Sequence, residues 1–254
     1  MTGTYDRIAR FYDVDMARNM AFDDAGFYAQ QCAGRAGPVL ELGCGSGRIL
    51  LRLLQSGLDA YGADASTGML DELARKARAA ALPLRAARMD VRQLAWRPGF
   101  ATILCPYSLI TYMVGADDAS RMLAEVRRLL APDGVFIVDA FVPKPLVAHD
   151  EFRVDYTRPF ADGTLVREKR VQPVDAAVNR IERRYRVMDA QGRVRDEVTV
   201  AETLRPFTPA ALQAVVAGAG LVPFATWWDY GTRAAADGAQ FFTLAARVAD
   251  GARD

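Results

Sequence analysis

A short apolar run, Pro38-Val39-Leu40-Glu41-Leu42, breaks directly into Gly43-Cys44-Gly45-Ser46-Gly47. An apolar run bounded by glycines reads as a strand buried on both faces, the kind that parallel sheets use. Ile49, Leu50, Leu53 and Leu54 follow at helical spacing, and Gly57 closes that helix. Glycines between a buried strand and a helix start let a ligand approach the backbone and leave amides free to face it. Asp64 stands 21 residues after Gly43, at the end of the next apolar run. A carboxylate there can accept both ribose hydroxyls of an adenosine. The dinucleotide fingerprint would put its third glycine at position 48. That position is Arg48, which would crowd a pyrophosphate, and the third glycine falls at 47 instead.

Strand and helix patterns keep alternating beyond this loop. Residues 58–63, 84–89, 100–105 and 135–141 read as strands. Residues 66–82 read as a helix, as does the segment capped by Asp117 and Asp118 with Met122, Leu123, Val126, Leu129 and Leu130 on one face. Pro132 and Gly134 are expected to end that helix. Such alternation implies a doubly wound α/β sheet. Past about residue 145 the period becomes two. Residues 179–187 and 194–204 alternate around the turn Asp189-Ala190-Gln191-Gly192, and 152–156 and 164–171 flank Asp162-Gly163. Thr208-Pro209 opens another helix, and 221–228 and 241–248 supply two last strands. Residues 1–36, with Tyr5, Phe11, Tyr12, Phe22, Phe27 and Tyr28, read as one or two helices lying over the rest.

Charge narrows the classes of partner. The chain has 32 basic and 31 acidic residues and no dense Lys/Arg block, whereas nucleic-acid binders carry a basic stripe. The stretch 151–205 holds 12 basic and 10 acidic residues, so it is no nucleic-acid platform. No uninterrupted apolar window of 18 residues occurs, so no membrane span is expected. The first residues carry Asp6 and Asp13 and no apolar signal core, and the expected location is cytoplasmic. Cys32, Cys44 and Cys105 are widely spaced and fit a reduced compartment. Cys44 and Cys105 read as small buried fillers rather than nucleophiles. The single histidine, His149, rules out a His-rich metal centre, and no metal-ligand pattern stands out. His149 follows the fifth strand at the edge where open α/β sheets bind ligands, so it reads either as a base or as a surface residue.

Val39-Leu-Glu-Leu-Gly-Cys-Gly-Ser-Gly47 resembles the first motif of class I S-adenosylmethionine-dependent methyltransferases. The resemblance extends over most of the chain. It implies a Rossmann-like α/β fold: a seven-stranded methyltransferase sheet with a C-terminal antiparallel pair, plus an antiparallel β insertion. It implies S-adenosyl-L-methionine as cofactor and S-adenosyl-L-homocysteine as product. On this likeness Glu41, Gly43, Gly45 and Gly47 form the cofactor loop, Asp64 holds the ribose, and Ala65 and Met69 flank the adenine. Met89, Asp90 and Val91 match the adenine-edge segment, with Asp90 accepting from the exocyclic amine. Leu130-Ala-Pro-Asp-Gly134 matches the family's L-x-P-G-G turn, with Asp133 in place of the first glycine. Ile8-Ala-Arg-Phe-Tyr-Asp-Val-Asp-Met16, together with a β insertion after strand five, resembles a bacterial small-molecule subgroup that includes amino-sugar-nucleotide N-methyltransferases. There the tyrosine of the Tyr-Asp pair, here Tyr12, lies over the cofactor. The segment from Cys105 through Tyr107 to Ser108 faces the methionine half.

The expected organisation is a helical lid over 1–36, a cofactor-binding core over 37–144 and 206–250, and a β-rich insertion over 145–205. The insertion would cover the acceptor pocket, with a dimer contact as a further use. The expected function is methyl transfer to O or N of a small metabolite, in specialised or sugar metabolism. An amine need only arrive neutral, whereas a hydroxyl needs a base, for which His149 and Tyr12 are the candidates. The expected partner is a small-molecule acceptor, with no nucleic acid, membrane or metal, and the chain is a monomer or homodimer. A nucleic-acid or protein methyltransferase, and a catalytically idle cofactor-binding module, are the alternatives.

Overall fold

A computed structural model describes residues 2–145, 147–161 and 163–249. The turn residue Asp162 and the outermost bounds expected for the lid and core, residues 1 and 250, lie outside them. Two helices, α1 (Thr2–Asn19) and α2 (Asp24–Cys32), precede an alternating series. It runs β1 (Val39–Leu42), α3 (Leu50–Gln55), β2 (Ala60–Asp64), α4 (Thr67–Ala79), β3 (Ala86–Arg88), β4 (Phe100–Cys105), α5 (Asp118–Leu129) and β5 (Leu130–Phe141). Four long strands follow: β6 (His149–Phe160), β7 (Gly163–Pro173), β8 (Asn179–Met188) and β9 (Val194–Leu204). The chain then returns through α6 (Pro209–Gly218) to β10 (Leu221–Trp228) and β11 (Phe241–Val248).

The main sheet has seven strands in the order β10-β11-β5-β4-β1-β2-β3. β1 to β5 run parallel, and β11 lies antiparallel between β5 and β10. All four residues of β1 are buried, which is why this strand reads as a continuous apolar run with no alternation. Strand order reverses between β1 and β4, and the crevice at their carboxyl ends is where open α/β sheets bind ligands. Met122, Leu123 and Val126 of α5 and Leu212 and Val216 of α6 fill one face of the sheet. Phe27 and Tyr28 of α2, Leu50 and Leu53 of α3 and Leu73 of α4 fill the other.

Helix α5 differs from the pattern-based expectation at both ends. Leu130 already pairs with Phe100, so α5 stops at Leu129, before Pro132 is reached. Asp117 makes no capping bond; Asp118 accepts from the Gly115 N–H instead, at 3.0 Å.

The second sheet, β6-β7-β8-β9, is antiparallel throughout. α1 lies between it and the main sheet. On one side Asp6 accepts from the Gly68 N–H at 2.8 Å and the Ser66 hydroxyl at 2.7 Å, placing a negative charge at the start of α4. Asp13 meets Lys76 at 2.5 Å and accepts from the Ser46 hydroxyl at 2.9 Å. On the other side Phe11 stacks on Tyr185 with ring centroids 5.2 Å apart. Asp15, buried, accepts from the Tyr185 hydroxyl at 2.6 Å and pairs with Arg167 at 2.9 Å. Ile8, Phe11, Tyr156, Leu165, Tyr185 and Val200 form the apolar cluster between them.

Candidate active site

A cavity of about 260 Å³ opens over the carboxyl ends of β1, β2 and β4. The glycine loop is its floor. Gly43, Gly45 and Gly47 have φ of +65°, +52° and +90°, the left-handed region that side chains disfavour. The three differ in use. A Cβ on Gly47 would overlap Leu73 and Leu51, so this glycine lets α3 and α4 pack closely. A Cβ on Gly45 would meet only Tyr12 and the Gly43 carbonyl, at 3.8 and 3.9 Å, and would otherwise stand in the cavity. Gly43 and Gly45 line it; Gly47 does not.

Asp64, at the end of β2, is tied to this floor. Its carboxylate accepts from the Gly45 N–H and the Ser66 N–H, each at 2.8 Å. Burial raises its pKa, and the two amides act against that rise. Ser66 also accepts from the Met69 N–H at 3.2 Å as the N-cap of α4. That bond places Ala65 and Met69 on the cavity wall beside Asp64. Asp90 and Val91, after β3, line the same end together with Arg92. Arg92 clamps Asp90 at 2.6 Å and reaches Asp118 of α5 at 2.7 Å. Those bonds hold Asp90 below the usual carboxylate range.

Phenols close the other end: Tyr5 and Tyr12 from α1, Tyr107 and Tyr112 from the turn after β4. Burial pushes all four hydroxyls above the ordinary tyrosine pKa, so each is a neutral phenol near pH 7. Tyr107 and Ser108 both sit at positive φ, +52° and +57°. Asp139 on β5 holds that turn, accepting from the Tyr107 N–H at 2.9 Å and the Ser108 N–H at 2.7 Å. It also accepts from the Tyr28 hydroxyl at 2.6 Å and the Tyr230 hydroxyl at 3.0 Å.

Tyr12, Gly43, Gly45, Asp64, Ala65, Met69, Asp90, Val91 and Tyr107 therefore line one cavity. Besides Gly47, four expected residues stand elsewhere. Glu41 is buried inside β1 with one carboxylate oxygen lacking a hydrogen-bond partner, Cys105 is fully buried under the turn, and Met89 packs against the core. His149 opens β6, and its Nδ1 lies 2.9 Å from the Glu151 carbonyl; it does not line the cavity. Tyr5, Ser66, Arg92, Leu109 and Tyr112 line it unforeseen. They come from the lid helix, the cap of α4, the loop after β3 and the turn after β4, where no motif or strand end marks them. Among the described residues, no three His, Cys, Asp or Glu side chains cluster as a metal centre, and no helix is long and apolar enough to cross a membrane.

Residues 39–134, the span from β1 to the turn within β5, match the methyltransferase domain family. Over this span the chain is similar to methyltransferase domains. YqeM of Bacillus subtilis, named as a methyltransferase, is 26% identical over 163 residues, 62% of each chain. A glycine/sarcosine N-methyltransferase of Halorhodospira halochloris is 30% identical over 122 residues, covering 47% of this chain and 46% of that one. The chain thus spans less than two thirds of the curated relatives it matches. Solved structures align further. An S-adenosylmethionine-dependent methyltransferase from Clostridium acetobutylicum superposes with a TM-score of 0.80 at 19% identity, over 96% of this chain and 98% of that one. CalS10, an amino pentose methyltransferase from Micromonospora echinaspora, gives 0.71 at 21% identity, over 94% and 96%. At these identities the likeness is one of fold, and it takes in the second sheet as well as residues 39–134.

The residues present suit an adenosylated cofactor. A side chain on Gly45 would fill the cradle, Asp64 keeps lone pairs for a vicinal diol, and Asp90 offers an acceptor for an exocyclic amine.

Proposed function

We propose that the chain is an S-adenosylmethionine-dependent methyltransferase whose acceptor is the amine of a small molecule. Bound over Gly43 and Gly45, S-adenosylmethionine supplies an activated methyl group on a sulfonium. The chain's share is to bind, align and exclude water. Asp64 takes the ribose hydroxyls and Asp90 the adenine edge, while Tyr12 and Tyr107 wall the far end where the methyl group would be presented. α1 covers that end, and the second sheet packs on α1 from outside.

One observation favours nitrogen over oxygen. The phenols at the far end stay protonated near neutrality, and the sole histidine lies outside the cavity. Tyr12 therefore serves as a wall, not as a base. A hydroxyl acceptor needs a base in place, whereas a neutral amine brings its own lone pair. The glycine/sarcosine N-methyltransferase and the amino pentose methyltransferase among the similar proteins support this reading, and the latter also supports a place in specialised or sugar metabolism.

The test is release of S-adenosylhomocysteine over a panel of small amines and their hydroxyl analogues. Transfer is expected to amines alone, and His149→Ala should leave kcat/KM within about threefold, because a working general base contributes about 10²–10⁴-fold. Turnover of the hydroxyl analogues with a hundredfold loss in His149→Ala would contradict the reading.

A further inference from the structure

The far end of the cavity holds polar groups that methyl transfer itself does not use. Tyr5 of α1 and Tyr112 of the turn after β4 both line the cavity, and their hydroxyl oxygens lie 2.5 Å apart. One hydroxyl donates to the other, so the pair keeps one proton directed elsewhere. The second sheet reaches this pair through its last strand. The Thr4 hydroxyl donates to the Ala201 carbonyl at 3.5 Å, and the Arg205 N–H donates to the Thr111 carbonyl at 2.8 Å. Residues 201–205 thus span the chain neighbours of both tyrosines. Glu202 lies in that stretch, its side chain only 4% exposed, ion-paired through Oε2 with Arg183 of β8. Its other oxygen, Oε1, is buried with no hydrogen-bond partner. The charges of Glu202 and Arg183 act on both Tyr5 and Tyr112, and that of Arg183 on Tyr107 as well.

We propose that Tyr5 and Tyr112, backed by Arg183 and Glu202, form an acceptor-recognition subsite that holds an uncharged hydroxyl group carried by the amine substrate. The inference rests on the reading of the chain as an amine methyltransferase and adds to it a second recognition point on the same substrate. A hydroxyl donates once and accepts twice, so it takes up the undirected phenol proton and returns one of its own. An alkyl group there would leave buried polar groups unpaired. A carboxylate would find Arg183 already neutralised by Glu202, so amino acids are selected against. The insertion then supplies the charges that polarise two tyrosines held by other parts of the chain.

The test is calorimetry on the full chain loaded with S-adenosylhomocysteine, with trans-2-aminocyclohexanol, cyclohexylamine and glycine as probes. The hydroxylated amine should bind at least tenfold more tightly than either other probe. Glu202→Gln and Tyr112→Phe should each bring that ratio to within threefold of one and raise KM more than they lower kcat, with S-adenosylhomocysteine affinity retained. Tyr5→Phe gives the same readout if either variant fails to fold. A wild-type ratio near one, or a ratio that survives these substitutions, overturns the subsite. If S-adenosylhomocysteine does not bind, the functional reading fails instead, and the probe ratio on the unloaded chain still decides the subsite.

Discussion

Asp64 is held by the loop it serves. Gly45 and Ser66 each donate a backbone N–H to it, so its carboxylate is oriented before any ligand arrives, and desolvation is partly offset. Asp64→Ala should weaken S-adenosylhomocysteine binding by about 1.5–3 kcal/mol, the scale of hydrogen bonds to charged groups. That is roughly 10- to 150-fold in Kd by titration, with the circular dichroism spectrum unchanged. An unaltered Kd would place the ribose contact elsewhere. Asp64 and Asp90 were legible because each follows a strand whose apolar run announces its end. Asp139 was not, since its phenol donors Tyr28 and Tyr230 stand 111 and 91 residues away, and no local pattern records such pairing. Glu41 and Cys105 were placed at the cavity by motif position. Their neighbours do line it, but the strands carry these two side chains into the interior.

The elements divide by how their sequences announce them. β1, β4, β10 and β11 have bounds close to their apolar runs, because their side chains are mostly buried or alternate cleanly. β3 shrinks to three residues because it is an edge strand that pairs only with β2. The second sheet was recognisable from its period-two alternation, but its packing on α1 through Phe11 and Asp15 was not. Its outer face is a ladder of paired charges. Arg184 holds Glu168, and Arg180 holds Glu182, below the usual carboxylate range. Depressed carboxylates contribute stability above their unfolded pKa, about 4.3 for Glu, and lose it as pH falls through the lower folded value. These groups are partly screened, so each contribution is modest. The melting-temperature gap between the wild type and a Glu168→Gln, Glu182→Gln double variant should therefore be level from pH 7 to about 5 and close below about 4, and it should be smaller at high salt. No gap at pH 7, or a gap that does not close on acidification, would show that the ladder does not stabilise the sheet.

At the scale of the whole molecule, the main sheet supplies a floor with amides and carboxylates, and α1 supplies a roof. α1 is fixed to the floor by polar contacts, Asp6 with Gly68 and Asp13 with Lys76, and to the second sheet by an apolar cluster. The cavity lies where α1 meets the main sheet, with Tyr5 and Tyr12 above and Gly43, Gly45 and Asp64 below. On the proposed reading this cavity takes an adenosylated sulfur cofactor and not a dinucleotide, which isothermal titration of the full chain with S-adenosylhomocysteine and, separately, with NAD decides. Saturable one-to-one binding of S-adenosylhomocysteine and no heat from NAD are expected; saturable NAD binding with no response to S-adenosylhomocysteine would rule it out.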